Sequence, residues 1–145
     1  MALLHATCVN LEGQGVLIMG PSGSGKSDLA LRLIEQGARL VSDDYVKLVH
    51  QKEGSAAHLL AETAPNIEGL IEVHNVGLLE SEYDASIPVK LVLELVTSGQ
   101  LDSLERLPEK AMITLEGVAV PYLKFYAFEA SATAKVKAAL SILSV

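Results

Sequence analysis

The sequence predicts an α/β domain with more strands than helices, on three observations. Gly15–Met19 is a short apolar, β-branched run, followed at once by a turn dense in Gly and Ser and then by an apolar pattern at helical spacing. Val89–Val96 is a longer run made mostly of β-forming residues. The chain closes on Ala134, Val136, Ala139, Leu140 and Leu143, which share one stripe of a helix. A strand ahead of a helix suggests a parallel pair of strands across that helix, within a mixed, strand-rich sheet.

The elements follow in order. Gly15–Met19 reads as a buried strand. Ser27–Gln36 carries Leu29, Ala30, Leu33 and Ile34 at helical spacing, with Gly37 placed to stop the helix. Arg39–Ser42 is a second short strand ending at Asp43-Asp44, and Val46–His50 alternates as a third. Gln51–Ser55 turns polar and reads as a hairpin tip or loop, and His58–Glu62 is a short strand candidate. Ala64, Pro65 and Asn66 break structure ahead of Ile71–Val73. Asn75–Ala85, with Gly77 and the acids Glu80, Glu82 and Asp84, reads as an irregular exposed stretch. After Val89–Val96, the polar Ser98–Pro108 is a loop; Ala111–Leu115 and Val118–Phe125 are strands about Gly117, and Ser131–Leu143 is the terminal helix.

Composition bounds the partners. The 145 residues amount to one domain, expected over 1–145, since domains run to ~100–200 residues. Half the residues are apolar and mean hydropathy is +0.35, so global disorder is excluded. With 4% aromatics and no Trp, the core must be Leu, Val, Ile and Ala. The net charge of -7 argues against nucleic acid and against an anionic membrane surface, both of which demand a basic face. A single phosphate ligand stays open, because a local site can oppose the global sign. The lone Cys8 cannot form an internal disulfide, and no cysteine–histidine zinc spacing occurs. No basic leader precedes a long apolar run and no long uncharged apolar stretch occurs, so neither a signal peptide nor a membrane span is expected, and the expected location is the cytoplasm.

Gly20, Pro21, Ser22, Gly23, Ser24, Gly25, Lys26 and Ser27 match G-x-x-x-x-G-K-[ST] at every fixed position. Glycines let the backbone curl with its N–H groups inward, and the following helix aims its positive end at the same point. Lys26 can reach β- and γ-phosphates and the Ser27 hydroxyl can ligate Mg²⁺, so nucleotide and Mg²⁺ are the expected ligands of a P-loop domain. The pattern says phosphate; it does not say which reaction.

Asp43 and Asp44 close the second strand, and in an open α/β sheet strand carboxyl ends face one crevice. One acid can help hold Mg²⁺ while the other accepts a proton from an attacking hydroxyl; a solvated acidic turn is the alternative. His5, His50, His58 and His74 have no metal-like spacing and read as surface or packed residues. Glu72, among Leu70, Ile71 and Val73, either needs a partner such as a metal or lies on a wet strand face.

These residues carry a resemblance. The chain resembles the catalytic domain of HPr kinase/phosphorylase, in the short alphaproteobacterial form that lacks the N-terminal domain. The matching segments are the phosphate loop, Arg39-Leu-Val-Ser-Asp-Asp-Tyr-Val46, His5 at its offset ahead of Gly20, Ala64-Pro65 with Ile71-Glu-Val-His-Asn-Val-Gly77, and Ala127-Phe-Glu-Ala-Ser-Ala-Thr-Ala-Lys135. The resemblance implies an ATP- and Mg²⁺-dependent kinase of a serine on the phosphocarrier HPr. It also implies removal of that phosphate by inorganic phosphate, giving pyrophosphate. By it, Lys26 contacts phosphates, Ser27 and Glu72 ligate Mg²⁺, Asp44 with Asp43 beside it is the base, and His5 sets the acid's protonation. It further implies a hexamer. The family signature has Arg-Gly where this chain has His74-Asn75, and a late basic residue for which Val120–Ala127 offers only Lys124. A related kinase with another substrate and a non-catalytic nucleotide-binding regulator are the alternative readings.

Overall fold

Alternating burial along the strands governs the architecture. In the computed structural model, which describes residues 2–143, the elements run β1 (Ala2–His5), β2 (Thr7–Leu11), β3 (Gln14–Met19), α1 (Lys26–Glu35), β4 (Arg39–Ser42), β5 (Tyr45–Glu53), β6 (Ala56–Thr63), β7 (Leu70–Val73), β8 (Gly77–Glu80), β9 (Ser86–Leu95), a 3-10 helix (Ser98–Ser103), β10 (Ala111–Leu115), β11 (Val118–Phe125) and α2 (Ala132–Leu143). Of the expected domain, Met1, Ser144 and Val145 lie outside the described residues. No helix among the described residues is long and apolar enough to cross a membrane.

Nine strands form one sheet in the order β1-β5-β6-β9-β3-β2-β4, with β11 also on β9 and β10 on β11; β7 and β8 form a separate pair. β9 is the joint. One of its edges carries β6, antiparallel, along Ser86–Pro88 and then β11, parallel, along Val92–Leu95. Its other edge carries β3, parallel, from Gly15↔Val89 to Met19↔Glu94.

Side chains alternate across this sheet and feed two cores. Val16, Ile18, Leu91, Leu93 and Leu95 face Leu29 and Leu33 of α1 and Val136 and Leu140 of α2. On the other face Leu17, Val92 and Val120 pack with Val46, Leu48 and Leu59 of β5 and β6. The result is helices, sheet and folded-over sheet in successive layers, built with one phenylalanine (Phe125) and no tryptophan in the core.

The mixed, strand-rich sheet, the helix after the phosphate loop and the C-terminal helix are as expected. The expected β3–β4 neighbours are not. β2 lies between them, antiparallel to both. The cause is local: Glu12 and Gly13, at φ 54 and 87, make a two-residue turn joining Leu11 to Gln14, and this hairpin fills the slot beside β3. The stretch 75–85 is also more regular than expected, because β8 pairs with β7 from Val73↔Gly77 to Leu70↔Glu80. All four β8 residues are exposed, so backbone pairing and not a buried face makes it a strand.

Candidate active site

β3 delivers the phosphate loop to the carboxyl edge of the sheet. Gly25 caps α1 in the left-handed region at φ 99, and a Cβ there would sit 2.8 Å from the Phe128 ring, so only glycine lets loop and ring approach. Ser24 donates its amide to the Pro21 carbonyl at 3.1 Å, curling the loop. Lys26 folds back over it, donating from Nζ to the carbonyls of Gly20 at 2.7 Å and Pro21 at 3.1 Å. Burial pushes the Lys26 ammonium below the usual lysine range, against the pull of Asp44 and Asp43. The two acids therefore act electrostatically on the phosphate-loop lysine.

β4 runs in the same direction as β3, both being antiparallel to β2, so Asp43 and Asp44 emerge on the same edge. There the pair divides. Asp43 is buried and its oxygens are filled: Oδ1 accepts from Ser27 Oγ at 2.6 Å and Thr7 Oγ1 at 2.9 Å, and Oδ2 accepts from the Glu72 amide at 3.0 Å. Asp44 turns out at φ 68, a left-handed value that Asp tolerates. Its side chain is 60% exposed and accepts at 2.9 Å from Nε2 of His5, itself 47% exposed and packed on the Tyr45 ring at 5.2 Å.

These residues fit a magnesium nucleotide. The loop is a glycine cradle, and the buried Ser24 hydroxyl has no partner within the protein. Ser27 Oγ is held by a carboxylate beside it, an arrangement suited to a hard cation that keeps phosphate and water oxygens for its remaining positions. Among the described residues no cluster of three or more His, Cys, Asp or Glu side chains is placed to hold a metal ion.

Residues 1–140 match the family model described as the HPr Serine kinase C-terminal domain. The chain belongs to this family.

Two curated proteins named HPr kinase/phosphorylase illustrate the HPr serine kinase likeness. That of Caldicellulosiruptor bescii is 36% identical over 127 residues, 82% of this chain and 40% of its own length. That of Chlorobium phaeobacteroides is 35% identical over 132 residues, 86% of this chain and 40% of its own length. The chain thus spans about 40% of the length of the curated relatives it matches. A solved structure described as the Hpr(Ser) kinase/phosphatase from Coxiella burnetii superposes with a TM-score of 0.79 at 24% identity, covering 98% of this chain and 89% of that one, a likeness of fold.

Within the HPr serine kinase fold, the expected residues Lys26, Ser27, Asp43, Asp44 and His5 stand on one edge. Glu72 reaches it through its amide, while its carboxylate is exposed on β7. His74 is exposed in the β7–β8 turn, where Asn75 adopts φ 65 in place of the family's glycine. Lys124 is exposed on β11, opposite Glu94. Thr7 was not foreseen: its hydroxyl donates to Asp43 and accepts from the Asp44 amide at 3.3 Å, joining both acids to β2. A small hydroxyl residue beside an apolar run was its only trace in the sequence.

Proposed function

We propose that this chain is the catalytic domain of an ATP- and Mg²⁺-dependent protein-serine kinase whose acceptor is an HPr-like phosphocarrier, and that the same site runs phosphorolysis in reverse. The family membership supports the reaction class. The division of the acid pair carries the assignment of roles: one carboxylate is locked onto Ser27, and its neighbour stands open beside an imidazole.

Ser27 with Asp43, and Glu72 on β7, are the residues to hold Mg²⁺; when bound, the ion neutralises charge on the β- and γ-phosphates. Lys26 releases the Gly20 and Pro21 carbonyls and turns its ammonium to phosphate oxygens. Asp44 takes the proton from the acceptor serine as its oxygen bonds to the γ-phosphorus and the bond to the β-phosphate oxygen breaks, leaving ADP. His5 orients Asp44 through its 2.9 Å hydrogen bond from Nε2 to Oδ1. In reverse, an oxygen of inorganic phosphate attacks the phosphoserine phosphorus. Asp44 returns the proton to the departing serine oxygen, and pyrophosphate is the product.

Incubation with γ-labelled ATP, Mg²⁺ and an HPr-type protein should place label on a serine. Asp44→Asn should lower the rate by ~10²–10⁴-fold with ATP binding kept. Transfer by Asp44→Asn at the wild-type rate would remove the base assignment, and absence of transfer by wild type would remove HPr as acceptor.

A further inference from the structure

The phosphate loop occupies the middle of a longer edge. β3, β9 and β11 are mutually parallel neighbours, so their carboxyl ends at Met19, Leu95 and Phe125 leave the sheet on one side. β4 points the same way two places beyond β3 on the opposite flank. Across this edge the order is therefore Asp43-Asp44, phosphate loop, the end of β9, and Tyr126-Ala127-Phe128 after β11.

The last of these segments is aromatic, open and fixed. Phe128 rests against Gly25 of the loop and keeps 53% of its surface exposed. Tyr126 meets it edge to face, with centroids 5.9 Å apart. Arg32 of α1 is anchored by Asp28 at 3.0 Å and donates to the Ala127 carbonyl, tying the segment to the helix that starts at the phosphate loop. The Val96 amide donates to the Phe125 carbonyl at 2.8 Å, tying it to β9 as well. An exposed phenylalanine is ordinary on a protein surface. One held against a phosphate loop at two anchor points is in a position to touch whatever the phosphates carry.

In-line phosphoryl transfer sets the direction of the ligand. The terminal phosphate must lie at the acid end, next to Asp44, so the remainder of the donor extends toward the other flank. We propose that Phe128, buttressed by Tyr126, is the platform on which the base of the bound nucleotide stacks. This rests on the reading of the site as a nucleoside-triphosphate site and adds which residue holds the nucleoside. Stacking uses the π face that every base has, so the platform grips adenine and guanine alike.

Equilibrium binding of Mg·ATP and of Mg·tripolyphosphate, which has the phosphates and no base, tests it on wild type, Phe128→Ala, Phe128→Trp and Lys26→Ala. Phe128→Ala should weaken ATP by about tenfold, which corresponds to ~1.4 kcal/mol, and leave tripolyphosphate unchanged. Phe128→Trp should keep ATP affinity, and its indole, the sole Trp in the chain, should be quenched by ATP and not by tripolyphosphate. Unchanged ATP affinity in Phe128→Ala, or equal weakening of both ligands, would overturn the platform; the second result would make the ring a prop for the loop. If wild type binds neither ligand, or Lys26→Ala binds ATP as wild type does, the nucleotide reading itself falls. Those results differ from loss of the platform alone, in which wild type still binds both ligands.

Discussion

Asp43 and Asp44 are neighbours in sequence and opposites in environment, and that contrast organises the site. Asp43 collects donors from β2, α1 and β7, so it is a structural keystone of the site. Asp43→Ala should cost about 2–4 kcal/mol, because two hydroxyls and an amide lose a charged acceptor, and lower Tm by about 5–15 °C in a thermal melt. Asp44→Asn, whose side chain is mostly exposed, should leave the melt nearly unmoved. A third acid, Asp84, makes stability depend on pH. Asp84 accepts from Asn10 at 2.9 Å and from Arg39 at 3.0 Å, and these bonds, Asn10 first, hold its carboxyl below the ordinary 3.8. A depressed folded pKa stabilises above pH 3.8, and that contribution is lost as pH falls through the folded value. The urea midpoint of Asp84→Asn should therefore lie below wild type at pH 7, and the gap should close as the pH drops below 3.8. The sequence exposed Asp43 and Asp44 as candidates; their spacing left the roles open, and the family resemblance pointed to Asp44 as the base. Which of two adjacent carboxylates is buried depends on Thr7 and Glu72, and their approach is a property of the fold.

At the scale of elements, regular patterns were legible wherever a strand or helix buries one face. α1 and α2 stood out for that reason; β9, buried on both faces, stood out as a long run of β-forming residues. Among the strands, β1, β2 and β8 escaped. β8 has no buried face and exists through its pairing with β7. β2 is short, and its place between β3 and β4 follows from the Glu12-Gly13 turn, whose first residue is an unusual choice for positive φ. The phosphate loop was the most legible unit, because its glycines, lysine and serine are dictated by what the backbone must do there. Gly25→Ala tests that dictate: it combines a left-handed φ with a 2.8 Å approach to Phe128. It should cost about 1–3 kcal/mol in urea unfolding and weaken Mg·ATP by more than about tenfold in calorimetry.

At the scale of the whole molecule, the net charge is -7, while Lys26 and the start of α1 place positive charge at the phosphate loop. A ligand that binds there should stabilise the entire fold, since the loop is seated on β3 in the middle of the sheet. Mg·ATP at ~100 times its Kd should add about 2.7 kcal/mol and raise Tm by about 5–10 °C, and Lys26→Ala should abolish the shift. The same central position governs the order of assembly. β3 is made early, and its parallel neighbour is β9, so Gly15 waits for Val89 and Met19 for Glu94. Pairings so distant along the chain close slowly and late. On the ribosome the nascent β3 therefore keeps an unpaired edge through the synthesis of six further elements, from α1 to β8.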